Sequence, residues 1–392
     1  MLKKNNWLSH KILLYYTVFI FFFLIANKLK IDVGFSLTPA IALLPITIFI
    51  LFLKKVRFSF DRLDAALFIF YFFCISSFVY SINLELTFRF ALGVFVFFLL
   101  LITSRKLLVF NDIFFVLDRV ASLFIIFCLF FYLIGITRLP SLVEHQTYYG
   151  VFIEKGIPRL TGVTMDPNFA ALCLSFFSIY LISRFKYKLA GIAFVLSVLT
   201  LSRSGLFSLM CGLIFYFFYS RVSISKKLLY FFSFFTLALV LYYLLNSNYL
   251  NLILEKRMAG IENGAGRFDL WSAALNFFYE RPFLGSGAFT FRERYERFSG
   301  EAKFAHNTLV EIAVEFGLFG FILFVIILFF LFLKIKKSIK LMPEIFFLMP
   351  AFILFFIMLN TLSMYINSVF IFFILVFTAK YQRQANCLHL NG

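Results

Sequence analysis

Apolar runs of roughly 15–25 residues follow one another along almost the whole chain, each long enough to cross a ~30 Å hydrocarbon core. Short segments that gather lysine and arginine separate them. A succession of this kind predicts an all-α, polytopic membrane helix bundle. The composition agrees: 62% of the 392 residues are apolar, 14% are charged and the mean hydropathy is +0.96. Soluble domains run nearer half apolar and a quarter charged. The 64 phenylalanines against 2 tryptophans read as lipid-facing and packing residues, not as an aromatic binding platform.

Spans are expected near 12–27, 36–53, 63–80, 86–103, 113–135, 167–183, 228–245, 308–333, 343–360 and 363–379. The stretch 189–219 is too long for one span and short for two, and Ser202-Arg203-Ser204-Gly205 interrupts its middle. Charge decides the parity, because cytoplasmic loops of membrane proteins carry the excess of lysine and arginine. Two spans there put seven basic clusters on the side of the N-terminus: Lys3/Lys4/Lys11, Lys54/Lys55/Arg57/Arg62, Arg105/Lys106, Arg184/Lys186/Lys188, Arg221/Lys226/Lys227, Lys334/Lys336/Lys337/Lys340 and Lys380/Arg383. One span would send the last clusters outside. The expectation is therefore one transmembrane domain over 1–392, with about 12 helices and both termini cytoplasmic. The formal charge of +18 is thereby explained by topology, and no nucleic-acid partner is expected.

Two hydrophilic segments then lie outside. One is 136–166, with His145, Lys155, Pro158 and Arg159; the other is the loop 246–306 between the ninth and tenth spans. In that loop Phe268, Leu270, Trp271, Leu275 and Phe278 recur at helical spacing up to Arg281-Pro282, which predicts a short amphipathic helix at the membrane surface. Of the cysteines Cys74, Cys128, Cys173, Cys211 and Cys387, none forms a CxxC pair, and His10, His145, His306 and His389 show no metal-ligand spacing. Neither a metal nor another cofactor is expected. Lys3, Lys4 and Lys11 precede an apolar run without a small-residue cleavage site, so the N-terminal segment reads as a first membrane helix.

Several residues have both a structural and a chemical reading. Arg203 is either a snorkelling cap between two short helices or the cation of a recessed anion pocket, since a planar guanidinium grips phosphate in two places. Arg267 is a solvated loop arginine or the opening residue of the loop helix. His306 precedes the span that begins at Thr308, where Thr308-Leu-Val-Glu311 suggests a capping box. A helix N-terminus disfavours the imidazolium, and a neutral imidazole is what a general base requires. Glu311 and Glu315 lie early in that span, where carboxylates are costly unless they face the bundle interior. Asp166-Pro167-Asn168 starts another span. Gly285-Ser286-Gly287 lacks the following Lys-Ser/Thr of a phosphate loop and reads as a turn.

Their order along the chain is more specific than any one of them. Gly162-Val-Thr-Met-Asp166-Pro167-Asn168, Leu201-Ser202-Arg203-Ser204-Gly205, Arg267-Phe-Asp-Leu-Trp271, Pro282-Phe-Leu-Gly285-Ser-Gly287, His306-Asn307-Thr-Leu and Glu315-Phe-Gly317-Leu-Phe-Gly320 together resemble the bacterial O-antigen polymerase and O-antigen ligase family over roughly the second half of the chain. The resemblance implies a metal-independent glycosyltransferase of the bacterial inner membrane. Its donor would be an undecaprenyl-diphosphate-linked glycan at the periplasmic face, and its acceptor another lipid-linked glycan or the lipid A core, with a chain-length regulator as a further partner. It implies His306, Arg267 and Arg203 as catalytic residues, and Arg203, Arg267, Asn307, Arg159 and Glu315 as substrate-binding ones. The Arg- and Glu-rich stretch Phe291–Lys303 tips the acceptor expectation toward polymerase. A flippase is the rival from another class, but transporters usually show internal repeats and polarity in many spans, whereas here polarity gathers in one late loop.

Overall fold

The computed structural model describes residues 2–32, 36–55, 60–139, 143, 146–220 and 267–381. The span expected at 228–245, the loop stretch 246–266, His145, His389 and Cys387, and the basic residues Arg57, Arg221, Lys226, Lys227 and Arg383 lie outside them. The chain is predominantly helical. Four helical stretches, Arg62–Val79, Leu84–Phe110, Ile113–Thr137 and Thr308–Leu341, are long and apolar enough to cross a membrane by length and composition, and seven shorter apolar helices accompany them.

In chain order the helices are α1 (Leu2–Ile25), α2 (Pro39–Ala42), α3 (Leu44–Leu53), α4 (Arg62–Ser76), α5 (Leu84–Leu107), α6 (Ile113–Thr137), α7 (Pro167–Ser183), α8 (Tyr187–Leu199), α9 (Arg203–Tyr219), α10 (Arg267–Glu280), α11 (Thr290–Ser299), α12 (Thr308–Leu341), α13 (Leu348–Leu359) and α14 (Ser368–Thr378). Short polar residues set most of the boundaries. Asp61, Asn83, Asp112, Asp166, Ser202, Asn307 and Asn367 each accept a hydrogen bond from the first turn of the helix that follows, satisfying donors that helix geometry leaves unpaired. The capping box expected at Thr308 and Glu311 is replaced by Asn307, whose Oδ1 accepts from Leu309 N at 3.0 Å and Val310 N at 3.2 Å. Thr308 is freed to donate to the Leu362 carbonyl, so the helix begins one residue early.

Among the described residues two largely apolar helices are buried on every side and lie at the centre. In α14 every residue from Val369 to Phe377 is buried, and α7 is buried from Ala170 to Ile182. A helix greasy all round belongs inside a bundle. Phe176 meets both Phe372 and Phe373 edge-on at 5.8 and 5.3 Å, and Phe70, Phe97 and Phe324 extend the same core. The all-α expectation needs one amendment, since two small antiparallel sheets are present: β1 (Ile31–Asp32) with β2 (Ser36–Leu37), and β3 (Thr147–Tyr148), β4 (Val151–Glu154) and β5 (Ile157–Leu160) in sequence. The second sheet folds the segment after α6 back over the ends of α6, α7 and α8. The inward turn of Val151, Ile153 and Leu160 on one face of the hairpin is what allows it.

Candidate functional site

Helices α7, α8 and α9 put the first half of the site at one end of the bundle. Ser175 and Ser197 meet hydroxyl to hydroxyl at 2.9 Å, and Ser178 donates to the Ala190 carbonyl, so α8 runs antiparallel to α7. Helix α9 then runs parallel to α7: a Cβ on Gly205 would lie 2.4 Å from that of Ala171, and one on Gly212 2.7 Å from the tip of Ile179. The stretch 189–219 is therefore two helices, joined by a turn at Thr200–Leu201 in which Leu201 takes a left-handed φ of 50°. That turn brings Arg203 to the same end as Asp166. Ser202 caps α9 and also donates from its hydroxyl to Asn168 Oδ1 at 2.7 Å, joining the Asp-Pro-Asn and Ser-Arg-Ser-Gly motifs directly.

Arg159 supports this turn from beneath. It is buried, with 7% of its surface exposed; its Nε donates to the Thr200 carbonyl at 3.0 Å and its Nη1 pairs with Glu154 across the β4–β5 hairpin. Its hydrogen bonds therefore go to the protein scaffold.

The second half is the loop that precedes α12. Helix α10 covers the predicted amphipathic stretch, but the face it buries is Leu270, Ala273, Ala274 and Phe277, while Phe268 and Leu275 stay exposed. Its burial partners are Phe291 and Tyr295 of α11 and Val314 of α12, and Trp271 Nε1 donates to the Ala305 carbonyl at 3.2 Å. Between α10 and α12 runs an apolar groove of about 390 Å³, lined by Trp271, Leu275, Phe278, Val310, Leu318 and Phe321 among others.

Gly285-Ser286-Gly287 is a strap laid on a break in α12. Gly317 has φ 64° and ψ −164°, which interrupts the helical ladder. The groups thus released bond to the strap: Ser286 N and Gly287 N donate to the carbonyls of Val314 (3.1 Å) and Glu315 (2.9 Å), and Leu318 N and Phe319 N donate to those of Pro282 (2.7 Å) and Phe283 (3.3 Å). A broken helix in a membrane protein is tolerable only when another segment takes its orphaned groups. Glycine is required at both faces of this approach, because a Cβ on Gly285 would lie 2.4 Å from the Glu315 backbone and one on Gly317 2.3 Å from that of Phe283. Glu315 completes the join. It is 1% exposed, and its carboxylate accepts from Phe291 N at 3.2 Å and Tyr365 OH at 2.6 Å. It thereby supplies the first turn of α11 with the cap its own N-cap residue, Phe289, cannot give.

These halves converge. The Arg267 guanidinium is held below its ordinary value by burial and by the nearby charge of Arg203, with Asp166 opposing and Arg159 adding to the effect. The half-buried His306 imidazole is likewise lowered, chiefly by burial, with Asp166 pulling it up and Arg267 and Lys303 pushing it down. Arg267 thus links the two halves: it feels Arg203, Asp166 and Arg159, and together with Asp166 and Lys303 it acts on a His306 imidazole that is neutral at pH 7, while Arg159 is paired with Glu154 and Lys303 with Glu301. His306 itself adopts a left-handed φ of 49° immediately before the Asn307 cap. Asn307 and Glu315 are engaged in capping, Glu311 is buried at the start of α12, and among the described residues no three His, Cys, Asp or Glu side chains group as metal ligands. Lys303 was not visible as a site residue in the sequence, because nothing in its local spacing separates it from other loop lysines.

Residues 189–325 match the family model described as O-antigen ligase. That interval contains Arg203, Arg267, Lys303, His306 and the Gly317 break, and leaves out Arg159 and Asp166. No curated protein matches the chain.

Proposed function

We propose that this integral membrane protein, whose residues 189–325 match the family model described as O-antigen ligase, transfers glycan from undecaprenyl diphosphate to a sugar hydroxyl at the periplasmic face of a bacterial inner membrane. The observation that carries the reading is the convergence of Arg203, Arg267 and His306 from three separate segments. Arg203 and Arg267 hold the donor's diphosphate. His306, neutral at its Nε2 or Nδ1, takes the proton of the acceptor hydroxyl as the acceptor oxygen bonds to the anomeric carbon and the bond from that carbon to the diphosphate oxygen breaks. The two guanidiniums stabilise the negative charge that develops on the departing undecaprenyl diphosphate, and Asp166 stabilises the imidazolium. The apolar groove between α10 and α12 suits the polyprenyl chain. No metal is needed, because the charge a divalent cation would neutralise is met by arginine. Cytoplasmic termini and a periplasmic site are supported by the grouping of Lys54, Arg105, Lys334 and Lys380 at the opposite end of the bundle.

The acceptor we propose is a second lipid-linked repeat unit, which makes the protein a polymerase, with a chain-length regulator as its partner. The charges of α11 that suggested this are largely spent on the loop itself: Arg294 pairs with Glu280, Arg297 with Glu293, and Glu293 also accepts from Asn83. What they offer the acceptor is a rigid wall. The second reading is a ligase acting on the lipid A core, favoured by the description of the matching family. A deletion strain separates them. Loss of a polymerase leaves core bearing one repeat unit, whereas loss of a ligase leaves bare core and long chains on the carrier lipid. Accumulation of unflipped lipid-linked sugar in the cytoplasmic leaflet would instead indicate a transporter and reject both.

A further inference from the structure

At the far end of the bundle from His306 lies a half-open charged cavity of about 920 Å³. Along α12 alone, the 26 residue steps from Thr308 to Lys334 span roughly 40 Å at the helical rise. Six cations line this cavity: Lys54, Arg105, Lys106, Lys334, Lys337 and Lys380. They come from four of the basic clusters that the sequence presents as topology markers, and topology alone asks only that such residues reach a headgroup layer, not that they face one another.

Like charges gathered around a cavity repel unless something neutralises them. Two carboxylates do part of this: Asp61 accepts from Lys334, and the buried Asp64 pairs with Arg105. Among the described residues of the lining these are the carboxylates, and Lys54, Lys337 and Lys380 carry the excess positive charge. Arg105 shows the deficit most directly. Its Nη1 is on Asp64, but Nε and Nη2 are buried and no acceptor among the described residues meets them. A buried donor on a charged group left unmet costs free energy, and Nε with Nη2 is one of the two forked edges by which a guanidinium grips a phosphate in two places. Much of the remaining wall is apolar, with Phe110, Leu341 and Ile345 beside the cations and Ser338, Thr378 and Tyr381 among them.

We infer that this cavity is a binding site for a phosphate anion, gripped by Arg105 and surrounded by Lys54, Lys337 and Lys380. The apolar wall favours the headgroup of an anionic phospholipid from the cytoplasmic leaflet over a free phosphate. Basic pockets between helices at a cytoplasmic surface have the chemistry for such headgroups. Its distance from the transfer site makes it a separate site, and it stands whether or not the proposed reaction does.

The test uses the full chain in detergent, titrated with phosphatidylglycerol or phosphatidylcholine and read by native mass spectrometry, with inorganic pyrophosphate as competitor. Phosphatidylglycerol should bind in preference to phosphatidylcholine, and the exposed pair Lys337→Gln/Lys380→Gln should weaken it roughly tenfold or more. Lys188→Gln/Lys336→Gln removes the same charge from residues that do not line the cavity and should change affinity less than about twofold. Arg105→Gln should abolish the site, and the two lysine pairs keep the test decisive if that variant does not fold. Pyrophosphate binding that the Lys337/Lys380 pair weakens, without phosphatidylglycerol binding, would assign the cavity to a soluble anion. Equal losses in the two lysine pairs, or no preference for either phosphate probe, would overturn the inference and return these residues to a diffuse topological role.

Discussion

The Ser202 hydroxyl donates to Asn168 Oδ1 at 2.7 Å, across 34 residues of sequence. This bond fixes the turn that carries Arg203 against the start of α7, where Asp166 lies. Ser202 also caps α9 through Gly205 N. Ser202→Ala should therefore cost about 1 kcal/mol from the cap and a similar amount from the lost bond to Asn168. It should lower both the melting temperature in detergent and the rate of transfer. A melting temperature unchanged from wild type would show that the turn is held by packing alone.

His306 is lowered mainly by burial, then raised by Asp166 and lowered by Arg267 and Lys303. A general base must be deprotonated, so activity is retained above its pKa and lost as pH falls through it; the acid limb should lie below the ordinary 6.5 of histidine. Lys303→Gln removes a positive neighbour, raises the His306 pKa and should move the acid limb to higher pH. Asp166→Asn removes the opposing carboxylate, retains a capping side chain, and should move it to lower pH. Rate profiles that shift the same way in both variants would remove His306 as the titrating group.

Arg203 and Arg159 should separate by position. Arg203→Lys replaces a planar fork by a point charge; losing one charge-assisted bond to the diphosphate should slow transfer roughly ten- to a hundredfold with little change in melting temperature. Arg159→Lys gives up the Thr200 carbonyl and the fit to Glu154, so its loss should appear first in stability. A catalytic defect without destabilisation in Arg159→Lys would place it on the substrate instead.

Gly285 and Gly300 both have positive φ, 74° and 78°, so alanine strains each by about 1–2 kcal/mol. Only Gly285 faces backbone at 2.4 Å; a Cβ on Gly300 meets nothing within 4 Å. Gly285→Ala should therefore lift the strap from α12 and abolish transfer, while Gly300→Ala should only lower the melting temperature by a few degrees. Equal effects in thermal melts and transfer assays would mean the strap is not a close contact in solution.

The bundle was legible because each span must be apolar over its whole length, and the split at Arg203 because charge parity demanded it. That Arg203 and Arg267 open helices and that His306 stands just before another was legible from their ordered motifs. What the sequence could not show is where side chains spend their bonds. The resemblance implies Glu315 as a substrate ligand, and nothing in its spacing shows that its carboxylate accepts from Phe291 N and Tyr365 OH. Nothing in the apolar run around Gly317 marks the break that its φ of 64° makes in the helix. The β3–β4–β5 sheet escaped because its strands are two to four residues long and carry too little periodicity to read. Its role in seating Arg159 escaped with it.

The most direct measurement is single-turnover transfer by the purified chain in liposomes, using an undecaprenyl-diphosphate-linked repeat unit, with chelator present throughout. Wild type should release undecaprenyl diphosphate and lengthen the glycan, with no dependence on divalent metal. His306→Ala should insert and melt like wild type yet turn over ~10²–10⁴ times more slowly. Undiminished transfer by His306→Ala, or intact donor after prolonged incubation of the wild type with acceptor present, would contradict the account.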